Sequence, residues 1–388
     1  MRIAFAANPA LGHVLPLVPL AVAAREAGHE VAVLGGSAIG HVLGAHGLRH
    51  VDVGPPDLAT VFAAIGAEQL TGPRLAVRVW SVGFAEFIAR PMAHGLLDLA
   101  HAWRPDLLVH DDSEQGTWIA AERLGIPHVA LQATAWRGAM MRLSAEPAGR
   151  LRDELGLVPD PELTTWHRFG FLATRPPGLL DPADPLPAGA TPMRAVSVED
   201  SGSSDAPWLD RAPAEGRRIA VTLGTVAPGR RAPLLATILD AVAPLNAEIV
   251  VALGPGLDPA AFLPRRANMR LVSFVPMARL MRMSDIVVSH GGSGTMLAAL
   301  GAGRPMVILP MAADQPTNAA ACRDAGAARV VEREDWTVPR IRAAVEAALE
   351  DGSLAAAARR LRSEIDAMPL PQAVLPHLED LASGANAP

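Results

Sequence analysis

Three short stretches of the chain combine residue types and spacings that could perform chemistry. The sharpest is His290-Gly-Gly-Ser-Gly-Thr295, between an apolar run and a segment of helical composition. Its three glycines let the main chain approach a ligand closely. The N–H groups opening the next helix, at about Thr295, lack intrahelical acceptors. Such a helix end carries roughly half a positive charge and suits a diphosphate, with His290, Ser293 and Thr295 as further donors. The alternative is a glycine-rich turn that merely precedes a helix. The stretch is neither a Gly-x-x-x-x-Gly-Lys loop nor a Gly-x-Gly-x-x-Gly fingerprint, and a chain without Lys cannot build a Walker-type nucleotide site.

Asp314-Gln315-Pro-Thr-Asn318 follows the next apolar run. A carboxylate beside an amide suits the hydroxyls of a sugar, and the competing reading is a helix N-cap, Asp314 before Pro316. In the first half, Gly12-His13 follows the opening apolar run. Histidine is the side chain best matched to proton exchange near neutral pH. Asp111 and Asp112 follow another such run, so a carboxylate could reach that imidazole, fix its tautomer and stabilise its charged form. Alternatively, the two acids cap a helix starting at Gly116.

These candidates need elements to hold them. Arg2 to Ala7 reads as a strand, Pro16 to Gly28 as a helix and Glu30 to Leu34 as a second strand, a βαβ unit that implies a parallel sheet. The pattern returns at Asp106–His110, Gly116–Gly125 and His128–Gln132. It collapses into Pro, Ser, Gly, Asp and Ala between Asp181 and Gly216. A second series then runs through strands at Arg218–Leu223, Glu248–Ala252, Asp285–Ser289 and Pro305–Leu309, with helices at Ala232–Ala243 and Thr295–Leu300. The reading is α/β, two facing Rossmann-like domains, whose strand ends line a cleft where such sheets bind ligands. The expected boundaries are 1–200 for the first domain, 201–216 for a linker and 217–371 for the second.

With 388 residues, half of them hydrophobic and 19% charged, the chain has ample apolar material for cores and is too long for one small domain. A net charge of -6, with no basic stripe, argues against nucleic-acid or anionic-membrane partners. The apolar opening segment is interrupted by Asn8, Pro9, Gly12, His13, Pro16 and Pro19, which fits neither a signal peptide nor a span. A single cysteine, Cys322, fits the cytoplasm. No Asp-x-Asp pair or His/Asp/Glu cluster has ligand spacing, so no metal or other cofactor is expected. Of the fifteen Phe and Trp residues, ten fall between Phe62 and Phe171, which suits a first domain that takes a bulky apolar acceptor. Phe62, Trp80, Phe84 and Trp136 are the candidate contacts, and core packing is the competing role for each.

Taken together, the chain resembles the GT-B glycosyltransferases that use nucleotide sugars to decorate bacterial natural products, over nearly its whole length. Gly12-His13-Val-Leu-Pro16-Leu17 resembles the opening motif whose His is the catalytic base, and Pro105–Asp111 the segment supplying its partner carboxylate, with Asp112 as second choice. Leu223-Gly224-Thr225 resembles the turn that touches the diphosphate. Ser273-Phe274-Val275-Pro276 resembles the segment that holds the nucleoside base, Phe274 standing where relatives often stack a Trp. The stretch from His290 to Thr295, including Gly292 and Gly294, matches the diphosphate positions, and Asp314 and Gln315 match the sugar positions. Two departures are Met277, where relatives often have Gln, and Ala298, where some carry a Glu that grips ribose hydroxyls. The second favours a dTDP-sugar over a UDP-sugar.

The resemblance implies metal-independent inverting transfer of a deoxysugar to a hydroxyl of a hydrophobic aglycone. It also implies a C-terminal helix within 372–388 that returns to the first domain, in a monomer or homodimer. Two rival readings remain: a nucleotide-sugar 2-epimerase, which uses the same two-domain architecture, and, from another class, a non-catalytic nucleotide-sugar-binding partner of another transferase.

Overall fold

A computed structural model of the chain describes residues 1–67, 69–70, 72–135, 138–198, 206–213, 216–225, 228–262 and 267–384. They form two compact units. The first comprises Met1–Arg175, Leu180–Val198 and Met368–Pro388, and the second Pro176–Leu179 and Glu199–Ala367.

In the first unit, strands β1 (Arg2–Ala6), β2 (Glu30–Gly35), β3 (Arg49–Asp52), β4 (Leu107–Asp111), β5 (His128–Leu131), β6 (Phe171–Ala173) and β7 (Thr191–Pro192) form one sheet in the order β3-β2-β1-β4-β5-β6-β7. Every pairing is parallel. Parallel sheets are covered on both faces, which is why β1 and β4 read as nearly continuous apolar runs. Ile3, Phe5, Leu107, Val109, Val129 and Leu131 share one core with the helix Val18–Glu26. The helix Pro371–Ala382 joins that core through Val374, Leu375, Leu378 and Leu381, a spacing that keeps one face apolar.

The second unit pairs β8 (Arg218–Thr222), β9 (Glu248–Ala252), β10 (Met269–Val272), β11 (Ile286–Ser289), β12 (Met306–Ile308) and β13 (Ala328–Val330) in the order β10-β9-β8-β11-β12-β13, again all parallel. Alternate residues feed opposite faces. Ala220, Val250 and Val287 enter one core, while Ile219, Val221, Ile249, Val251, Ile286 and Val288 enter the other.

Parts of the Pro-rich stretch beginning at Asp181 are packed chain. It supplies edge strand β7 to the first sheet, and the short turn Pro207–Asp210 packs in the second unit, with Leu209 buried. Arg218 donates to the carbonyls of Leu209 and Arg211 while its Nε reaches Glu248 at 2.8 Å.

Both sheets follow the doubly wound order, with the first strand of each beside the fourth. Connections leave these two strands in opposite directions, which opens a crevice at their C-terminal ends where such sheets bind ligands. His13 follows β1 and Asp111 ends β4. In the second unit, Gly224 follows β8 and His290 follows β11. The candidate residues flank the two switch points. Among the described residues, no helix is long and apolar enough to cross a membrane.

Candidate active site

In the first unit, β1 runs into a tight turn at Asn8 and Pro9, and the one-turn helix Leu11–Val14 then presents His13. Its Nδ1 lies 2.9 Å from Oδ2 of Asp111 and 3.0 Å from the Ser113 hydroxyl. The Asp111 side chain is fully buried, whereas that of His13 is 12% exposed. Oδ2 of Asp111 also accepts the Asn8 main-chain N–H, while Oδ1 accepts the Ser113 N–H and Oγ–H, both at 2.7 Å. Asn8 Nδ2 donates to Ser113 Oγ at 2.9 Å, locking the loop after β1 to the loop after β4.

Burial pushes the Asp111 carboxyl up, but the adjacent His13 and the Ser113 donors outweigh it and hold it below the ordinary range. Asp111 is therefore an ionised acceptor, which puts the ring proton of neutral His13 on Nδ1. The basic lone pair is then on Nε2. Asp112 is turned elsewhere: its carboxylate accepts from Ala133 N at 3.1 Å. Burial and the Asp111 charge push the Asp112 carboxyl well above its ordinary value, the opposite direction to Asp111. Neither acid caps the next helix. Glu114 does that, accepting from the main-chain N–H groups of Gly116 and Thr117.

An aromatic wall adjoins the imidazole. Phe84 meets His13 edge-on, with ring centres 5.5 Å apart, and Trp80 tilts against Phe84 at 5.9 Å. Both belong to the π-helix Val79–Ile88, a winding rare over ten residues. Trp80 Nε1 is anchored to Ser144 Oγ at 2.8 Å. Phe62 is half-buried on the helix Leu58–Ala64 and, among the described residues, makes no ring contact with His13, Trp80 or Phe84. Trp136 lies outside the described residues. Phe84, like Trp103, Trp118, Trp166 and Phe171, is buried among core residues, whereas Trp80 is half-buried.

In the second unit the helix begins at Ser293, two residues earlier than the sequence suggests. Gly292 is its N-cap and no side chain caps it. The N–H groups of Ser293, Gly294 and Thr295 are thus the first donors without intrahelical acceptors. Gly224 has φ +73°, and a Cβ there would come within 2.7 Å of the His290 ring. A Cβ on Gly292 would meet His290 Nε2 at 2.6 Å. Glycine at both places is what lets the ring sit against the two turns. Thr225 is half-buried in the same turn as Gly224. Burial holds His290 down to about 4, with the Asp314 carboxylate opposing and the Arg231 guanidinium reinforcing. The ring is neutral near pH 7.

Asp314 occupies the cap position of the helix Gln315–Asp324 without a side-chain cap bond. Its Oδ2 instead accepts from Ser293 Oγ at 2.7 Å and Asn318 Nδ2 at 3.0 Å. Gln315 Oε1 accepts the Met311 and Ala312 N–H groups at 2.7 and 3.0 Å, so its own loop fixes the side chain through the oxygen and not through Nε2. Phe274 is 52% exposed whereas Val275 is 3% exposed, so only Phe274 of that pair presents its side chain at the surface. Among the described residues, no three His, Cys, Asp or Glu side chains are grouped to hold a metal ion.

Comparison with known proteins bears on this arrangement. Residues 236–381 match the family described as erythromycin biosynthesis protein CIII-like, C-terminal domain. The tylactone mycaminosyltransferase of Streptomyces fradiae is 33% identical, covering 96% of this chain and 90% of its own. The chain belongs to the nucleotide-sugar-dependent GT-B glycosyltransferases of antibiotic biosynthesis. Among solved structures, the glycosyltransferase SnogD from Streptomyces nogalater superposes with TM-score 0.78 at 32% identity, over 98% of this chain and 99% of its own. The spinosyn rhamnosyltransferase SpnG complexed with thymidine diphosphate gives 0.82 at 26% identity, over 98% and 100%.

Three side chains of this glycosyltransferase that hold the candidate site were not singled out from sequence. Ser113 stands two residues past Asp111, in a turn that folds back on the carboxylate. Asn8 follows the strand that carries His13. Asn318 lies one helical turn after Asp314, the only signal that both face the glycine loop. It is fully buried, and its Nδ2 also donates to Gly291 O at 2.8 Å and approaches Ser293 Oγ at 3.2 Å. Asn318→Ala removes the side-chain donor to the Gly291 carbonyl, while Ser293 Oγ still pairs with Asp314, and is expected to cost about 1–3 kcal/mol of stability. Urea denaturation checks this, and an unchanged midpoint would show that the amide holds nothing.

Proposed function

We propose that this glycosyltransferase moves a deoxysugar from a dTDP-sugar to a hydroxyl of a hydrophobic natural-product aglycone, with inversion, without a metal ion, and in the cytoplasm. The observation that carries the reading is the 2.9 Å pairing of His13 Nδ1 with buried, ionised Asp111, which leaves Nε2 as the basic atom. His13 Nε2 takes the proton from the acceptor hydroxyl as its oxygen attacks the anomeric carbon. The bond from that carbon to the diphosphate oxygen breaks with its electron pair going to the diphosphate. Asp111 stabilises the imidazolium that results.

The leaving diphosphate is received by the N–H groups at Ser293–Thr295, by the Gly224–Thr225 turn and by the neutral His290 ring. Oriented donors of this kind supply the stabilisation that a bridging cation would otherwise provide. Phe274 stacks on the thymine, and Gln315, held by its own loop, donates to a sugar oxygen while Asp314 braces the loop beside it. Trp80 and Phe84, with Phe62 and Trp136, take the apolar acceptor. A thymidine diphosphate complex of SpnG and a second complex of SpnG with spinosyn aglycone support the donor and acceptor classes by likeness. Ala298 supports a 2′-deoxyribose, since no carboxylate at that position grips a second hydroxyl.

Two measurements test the proposal. An α-linked donor is expected to give a β-linked product, read from the anomeric coupling constant, and retention would exclude direct displacement. In thermal-shift assays, dTDP is expected to stabilise the protein more than UDP, GDP or ADP. A ligand at about 100 times its Kd adds roughly 2.7 kcal/mol. Equal shifts for UDP and dTDP would remove the deoxyribose preference.

A further inference from the structure

Arg231 is a buried cation that the mechanism above does not use. It lies on the helix Pro228–Val242, 1% exposed, behind the turn that carries Gly224. Nη1 donates to the carbonyls of Gly224 and Leu253, and Nη2 donates to that of Pro255 at 2.8 Å. Its Nε is buried with no hydrogen-bond partner. All three acceptors are neutral main-chain oxygens, and no carboxylate among the described residues pairs with it. Burying a cation without a counter-charge costs several kcal/mol, so a site that keeps one has an anion to meet or a geometry to hold. This cation ties together the loops that follow β8 and β9. A Cβ on Gly254 would reach Gly224 O at 2.7 Å and Arg231 Nη1 at 3.3 Å, so the two turns and the guanidinium are packed as one block. The same charge disfavours a second positive charge on His290, which sits against Gly224.

We infer that Arg231 is a positioning residue whose unpaired charge is the counter-ion of the bound nucleoside diphosphate, acting through the Gly224–Thr225 turn that its fork fixes. Arginine stays ionised in such surroundings and its planar fork serves two carbonyl directions at once. The diphosphate completes an ion pair that the protein alone leaves open. This rests on the reading of the Gly224 and His290–Thr295 segments as the diphosphate site.

Calorimetric titration of wild type, Arg231→Gln and Arg231→Lys with thymidine, thymidine monophosphate and thymidine diphosphate separates the two ideas. Failure of wild type to bind thymidine diphosphate would remove the donor reading, whatever the variants do. With wild-type binding established, Arg231→Gln is expected to weaken thymidine diphosphate about 10- to 100-fold and the monophosphate less. Thymidine itself should stay within about twofold, because no phosphate charge is involved. Equal losses for thymidine and its diphosphate, or no loss for either, would overturn the inference. Should Arg231→Gln not fold, Arg231→Lys decides. Lysine keeps the charge but not the fork that fixes the turn, so thymidine diphosphate should bind about 3- to 10-fold more weakly with thymidine unchanged. For this variant too, equal losses for thymidine and its diphosphate, or no loss for either, would overturn the inference.

Discussion

His13→Ala is expected to lower turnover about 10²–10⁴-fold with an oxygen acceptor, equivalent to about 3–5 kcal/mol of barrier. The affinity for thymidine diphosphate should not change, because the donors assigned to it belong to the second unit, whereas His13 belongs to the first. Steady-state kinetics combined with nucleotide titration check both halves of this result. The ring is already oriented by Asp111 and Ser113, so the variant loses a positioned base rather than a flexible one. Normal turnover in His13→Ala would remove the general-base role. A matched loss of nucleotide affinity would show instead that the substitution disturbs the fold.

Asp111→Asn is expected to be nearly as damaging, through a different physical route. Each carboxylate oxygen accepts a main-chain N–H, Oδ2 from Asn8 and Oδ1 from Ser113. An asparagine must put its NH₂ on one of these sides, against a donor in either orientation. If it turns NH₂ toward Oδ1, it also opposes Ser113 Oγ–H; if toward Oδ2, it opposes His13 Nδ1–H and favours the wrong tautomer. One buried unsatisfied donor costs about 1–3 kcal/mol, so the first unit should also melt earlier. Loss of the negative charge removes what stabilises the imidazolium. Turnover is expected to fall about 10³-fold or more. The control is Asp112→Asn: its carboxyl accepts from Ala133 N rather than from His13, a contact an amide oxygen preserves, so turnover should fall less than about threefold.

What the sequence made legible follows from where each strand lies. The eight strands read from composition include β1, β4, β8 and β11, which have neighbours on both sides and must be apolar on both faces. The strands not read were β3, β6, β7, β10 and β13. Four of these are sheet edges, where Arg49, Asp52, Arg270 and Arg329 are admissible, and β6 has only three residues. Glycine and histidine marked the loops because their chemistry is local. Ser113, Asn318 and Arg231 were silent because what they hold is fixed by tertiary packing. Asp314 shows the limit most clearly: cap or sugar ligand were the sequence alternatives, and the structure turns its carboxylate to Ser293 and Asn318.

The π-helical winding of Val79–Ile88 gives the aromatic wall an unusual form of adjustability. A wide turn of this kind holds one residue more than an ordinary turn, and each residue of an α-helix advances about 100° around the axis. Deleting a single residue between Trp80 and Phe84 would change their angular offset about the helix axis. On the acceptor role proposed for these rings, a one-codon change in length is a route to altered acceptor breadth that substitutes none of the side chains proposed to handle protons or phosphate.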